Sequence, residues 1–290
     1  MDILKIPEEK YQKSSVAIRS VNNYHLREYL DQFIKFLLDN FDDENLSNFY
    51  HNISSLKIKN KKASFLTGIW RYYDGCYDAC TNTIYVYDIE ILFHELLHMA
   101  SNNYQQESKF IYQGFSQVNL NKKSERTIGI SLNEGYTELL YKRHFDGKHD
   151  SAYNYELFIA YIIERIIGPL TMEKLYLNAD LYGLVEKLKE YASSEEIIKF
   201  LEKFDKILGN EYSNRKYYQE IKKDIYYFLY KTFLIKVRKN LENKIISQDE
   251  AIRKITSFVL LYNENYPIKN EKDLNETYDD VQKTYTKVML

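Results

Sequence analysis

Ile89-Glu90-Ile91-Leu92-Phe93-His94-Glu95-Leu96-Leu97-His98-Met99-Ala100-Ser101 is the stretch that decides how this chain reads. It holds one His-Glu-x-x-His pattern inside an apolar helical repeat. Each residue of an α-helix turns about 100°, so His94 and His98 lie roughly 40° apart and one turn apart in rise. Two imidazoles so placed reach one metal ion, and Zn²⁺ is the ion that this spacing suits. Glu95 sits beside them, able to reach a water on the metal without being a ligand. Ile89, Leu92, Phe93, Leu96, Leu97 and Ala100 take the opposite face and predict a core contact. Asp88 is the expected N-cap of this helix.

Three protein ligands are needed to hold a catalytic zinc, and the pattern supplies two. Further along stands Leu132-Asn133-Glu134-Gly135-Tyr136-Thr137-Glu138. Glu134 and Glu138, four residues apart, share one face of a predicted helix that begins near Leu132, with Ser131 as a possible cap. One carboxylate can bind metal, and the other can accept the second ring proton of a ligand histidine. Leu132, Tyr136, Leu139 and Leu140 face the other way. Gly135 costs a helix about 1 kcal/mol against Ala, which close approach of the two metal-bearing helices would explain.

Taken together, His-Glu-x-x-His followed by Asn-Glu-x-x-x-Glu resembles the gluzincins, zinc peptidases whose third ligand is a glutamate. The wording is closest to zincin-like proteins of low-GC Gram-positive bacteria, over about residues 65–145. The resemblance implies that His94, His98 and Glu134 ligate zinc and that Glu95 is the general base. It implies that Glu138 orients His94, and that an edge strand before the helix, at Ile84, Tyr85, Val86 and Tyr87, holds extended peptide. An oxyanion donor is also implied. Tyr141, His144, His149, Tyr153 and Tyr155 are near in sequence, with Tyr141 two turns beyond Glu134.

Outside the motifs, the chain reads as an ordinary globular protein. It has 290 residues, 44% hydrophobic and 28% charged, which suffices for a substantial core. A net charge of −2 gives no reason to expect a nucleic-acid partner. The first residues are too polar for a signal peptide, and the apolar run at residues 157–170 carries Glu164 and Arg165, so it reads as a core helix and not a membrane span. A cytoplasmic protein is the expectation. Cys76 and Cys80 make no disulfide scaffold and lack a partner pair at zinc-ribbon spacing.

The expected fold class is α+β, in three parts. Residues 1–53 form an N-terminal helical segment. Residues 54–149 form a zincin-like catalytic core with a small mixed sheet and the active-site helices. Residues 150–290 form an all-helical C-terminal lobe, and residues 147–150 mark its boundary. Strands are expected over residues 65–73 and 83–87, and residues 102–131 read as polar with one strand-like patch at Phe110-Ile111-Tyr112. Lys57, Lys59, Lys61 and Lys62 read as a solvated loop. The expected function is hydrolysis of peptide bonds in a peptide or protein substrate. The alternatives are a zinc hydrolase acting on a non-peptide or amino-acyl substrate, and a non-catalytic zincin-fold binding protein.

Overall fold

The computed structural model describes residues 24–60, 75–86, 88–121, 126–145, 153–210 and 212–265. Within them the chain is α+β and mostly helical. Helix α1 (Tyr24–Asn40) buries Leu26, Leu30, Phe33, Ile34 and Leu37, whose spacing of three and four residues puts them on one face. Helix α2 (Ser47–Ile53) follows and leads into the first sheet.

That sheet has three strands, β1 (Lys57–Asn60), β2 (Gly75–Asp78) and β3 (Thr83–Val86), in the order β1-β3-β2. β1 runs parallel to β3, and β2 pairs with β3 as an antiparallel hairpin, so the sheet is mixed. Asp78 organises the hairpin turn by accepting from the Cys80 and Thr81 amides, as a short acidic side chain does in a turn. Lys57 and Lys59 belong to β1 and not to a loop. Their exposed side chains flank half-buried Ile58, the alternation of a strand with one wet face. The strand expected over residues 65–73 lies outside the described residues, as do Tyr87 and the boundary at residues 147–150.

A 3₁₀ turn (Ile89–Ile91), capped by Asp88 accepting from the Glu90 amide, launches α3 (Leu92–Ala100). Between α3 and α4 (Ile130–His144), the polar stretch does not form a loop with one strand patch. It forms an antiparallel meander of β4 (Asn102–Gln105), β5 (Phe110–Gln113), β6 (Ser116–Asn119) and β7 (Arg126–Ile128). These short strands are rich in Asn and Gln, which carry little strand preference. Their cross-strand backbone bonds, which no local window of sequence displays, are what make them a sheet.

The described residues beyond 152 form helices α5 (Asn154–Ile167), α6 (Pro169–Leu177), α7 (Leu181–Leu188), α8 (Ser194–Asp205), α9 (Lys216–Glu242) and α10 (Gln248–Asn265). None of the described helices is long and apolar enough to cross a membrane. One apolar core runs from Leu26 to Tyr262 and joins the N-terminal helices, both motif helices and the C-terminal helices. The start of α4 is held from this last region. Ser131 does not cap it. Instead the Asp205 carboxylate accepts from the Gly129 and Ser131 amides, while the Ser131 hydroxyl donates to Phe204 O.

Gly135 serves a different contact from the one its sequence position suggests. A Cβ there would stand 2.1 Å from the Glu156 carbonyl oxygen, so the glycine admits the backbone of α5, not α3. Because a carbonyl cannot rotate away, Gly135→Ala should overpack the interface and cost about 2 kcal/mol, more than the ~1 kcal/mol of helix preference it gains. Urea denaturation measures this. A stabilised variant would show that α5 yields freely.

Candidate metal centre

Helix α3 is buried on every side, and its two histidines and Glu95 are only 2–6% exposed. Burying three such polar groups is costly unless each finds a partner, and here each does. His94 Nδ1 donates to Glu138 Oε2 at 3.1 Å. His98 Nδ1 has the Asn133 carboxamide nitrogen at 3.3 Å. Glu95 takes the Tyr77 backbone N–H from β2.

The remaining ring nitrogens turn towards one another. His94 Nε2 and His98 Nε2 are 3.1 Å apart, and Glu134 Oε2 lies 3.4 Å from the first and 3.3 Å from the second. Ligand atoms held about 2.0–2.1 Å from a tetrahedral zinc stand about 3.3 Å from each other, so the donor set fits that ion. Among the described residues this is the one group of three or more potential ligands close enough to hold a metal. Glu134 is also the most open of the three, with 17% of its side chain exposed.

Electrostatics point the same way. Burial alone would push the His94 pKa down, but its hydrogen bonds to the Glu134 and Glu138 carboxylates outweigh it and raise it to about 10. Burial opposes the Glu134 carboxylate, yet the charge of His98 and hydrogen bonds from both histidines hold it well below the usual carboxylate range. The cluster therefore favours positive charge beside the Glu134 carboxylate, as a cation site requires. Glu95 differs. Burial pushes its pKa up, with the histidines pulling it back.

The structure thus brings His94, His98 and Glu134 together, with Glu95 and Glu138 beside them. It treats the expected peptide-binding strand differently. Ile84, Tyr85 and Val86 form the central strand of the first sheet, paired on both sides, so they offer no free edge. Among the described residues, β2 is the edge strand beside the motif. A Cβ on Gly75 would meet Glu95 Cγ at 3.2 Å and Oε1 at 3.4 Å, so this strand runs directly against the candidate base.

Of the candidate oxyanion donors, Tyr141 is engaged elsewhere, its hydroxyl donating to Glu90 O at 2.7 Å. Tyr153 stacks on the His94 ring, 6.1 Å between centroids and 18° between planes. His144 lies against Phe36 and near Glu173, away from this cluster. His149 is outside the described residues. Cys76 and Cys80 are exposed thiols and do not belong to the donor group. The motif reading missed the nearness of Asn133 to His98. Its place immediately before Glu134 was the available signal, but a helix places it off the Glu134–Glu138 stripe, and only the fold shows His98 waiting there. Comparison with protein-family models, curated proteins and solved structures finds no match to this chain.

Proposed function

We propose that the chain is a zinc-dependent metallopeptidase of zincin-like architecture, with His94, His98 and Glu134 as metal ligands and Glu95 as general base. The observation that carries this reading is the convergence of the three ligand atoms within 3.1–3.4 Å of one another, with a buried Glu95 on the same helix. A purely structural zinc site has no use for that further carboxylate, which is not a ligand. The small mixed sheet before α3, and the Glu138 bond to His94, also support it.

Zn²⁺ held there would supply a Lewis acid for a carbonyl oxygen and lower the pKa of a coordinated water to about 7. The chain's own residues do the rest. Glu95 accepts a proton as water attacks the peptide carbonyl carbon and passes it to the departing amine nitrogen as the C–N bond breaks. Its raised pKa suits that exchange, because a base poised nearer neutrality both takes and returns a proton readily. Glu138 fixes the His94 ring and keeps its Nε2 free for metal. An extended peptide would lie along β2, adding a strand to the sheet beside Glu95.

Digestion of a diverse peptide library tests the reading. Cleavage should require about one zinc per chain, stop with a chelator and return when zinc is added. A protein that holds its zinc and cleaves nothing in such a library would shift the substrate to a non-peptide class.

A further inference from the structure

Helix α4 carries Glu134 and Glu138, yet it begins without a cap of its own. The residue before it is Gly129, which has no side chain to accept an amide, and the first turn holds no acidic residue. Ser131 spends its hydroxyl on Phe204 O at 2.9 Å. Gly129 and Ser131 are both buried, so their N–H groups need an acceptor from the protein. It comes from the end of α8. Asp205 Oδ2 accepts from Gly129 N–H at 2.7 Å, and Oδ1 accepts from Ser131 N–H at 2.9 Å.

This is a helix cap supplied from 76 residues away. A carboxylate there satisfies two otherwise unpaired donors and faces the positive end of the α4 dipole. The far end of α4 is held by the same region of the chain. Arg143 pairs with both oxygens of the buried Glu164 on α5 and reaches Glu173 on α6 at 3.2 Å, while Tyr136 donates to Glu164 Oε2 at 2.9 Å. Glu134 and Glu138 lie between the two anchors. Glu134 stands nearer the capped end, within one turn of Ser131, so an unwound first turn would carry it off the metal.

We propose that Asp205 is a positioning residue for the metal, holding Glu134 in place by capping α4 from the C-terminal helices. Those helices then complete the metal centre although none of their side chains would be a ligand. The proposal rests on Glu134 being a ligand, and zinc content of the wild type checks that separately.

The test measures zinc affinity and the visible spectrum of the cobalt-substituted protein, which reports ligand geometry. Asp205→Ala leaves two buried amides without an acceptor, and each such loss favours unwinding of the turn by about 5-fold or more. Zinc should therefore bind about 10-fold more weakly or worse, and the cobalt bands should shift. Asp205→Asn, which keeps one acceptor oxygen, should fall between that variant and the wild type. Ser193→Ala is the control. It removes the cap at the opposite end of α8, where Ser193 Oγ accepts from Glu196 N–H, and leaves the α4 amides paired. It should melt earlier than the wild type yet bind zinc within about twofold of it.

An Asp205→Ala protein that melts earlier yet keeps its zinc affinity and cobalt spectrum would overturn the proposal, because the cap would then be structural only. So would equal losses of zinc affinity in Asp205→Ala and Ser193→Ala, which would trace the effect to general stability. If Asp205→Ala does not fold, hydrogen exchange of the Ser131 amide in the wild type decides. Coupling is reciprocal, so zinc should slow that exchange about 10-fold or more, and an unchanged rate overturns the proposal. A wild type that binds no zinc removes the metal reading, and the proposal with it.

Discussion

Glu95→Gln is expected to leave the fold and the metal in place and to lower peptide hydrolysis by at least about 10²-fold, the low end of what general-base catalysis contributes. The amide matches the carboxylate in size and can still accept the Tyr77 N–H. It cannot take a proton from water. Glu95 touches neither Glu134 nor the ring nitrogens that would hold zinc through any hydrogen bond, so metal content should stay near one per chain. Burial also favours a neutral side chain here, since it already pushes the Glu95 carboxyl up. The variant should therefore be at least as stable as the wild type. Hydrolysis of a cleaved library peptide, with zinc measured on the same sample, checks both halves. Wild-type turnover in the variant would sink the mechanism.

Glu134→Ala should abolish stoichiometric zinc binding, as should His94→Ala and His98→Ala. The three atoms form one nearly equilateral set, so losing any one leaves two donors and an opening to solvent. Glu134 matters most electrostatically. Its carboxylate, held well below the usual range by the histidines, is the anionic member of the set. Removing it leaves two neutral imidazoles and no anionic donor to offset the charge of the ion. Metal analysis after dialysis reads this directly. A Glu134→Ala protein that retains one tightly held zinc would mean that a different residue completes the site.

Much of this site was legible in the residues. His94, Glu95 and His98 stand together because a helix repeats every 3.6 residues, and Glu134 and Glu138 share a face for the same reason. Helical spacing left open which histidine Glu138 would meet, the resemblance implied His94, and the fold places the two 3.1 Å apart. The helical character of residues 24–53 and of the described residues beyond 152 was likewise visible in apolar spacing. The meander was not. Only Phe110-Ile111-Tyr112, within β5, showed strand character; β4 and β6 lean on Asn and Gln and β7 has three residues, too few to show a period.

By itself the sequence determined which side chains each helix presents together, because that depends on local backbone geometry. The fold alone decided what lies opposite them. It put Ile84, Tyr85 and Val86 at the centre of the sheet and, among the described residues, left β2 at the edge beside Glu95. It set Gly135 against α5, and it placed the Gly129 and Ser131 amides on Asp205. Each of these is a meeting between segments distant in the chain. Which strand pairs with which, and which backbone donor reaches which side chain, is fixed by the burial of the whole core and the pairing of every buried polar group at once.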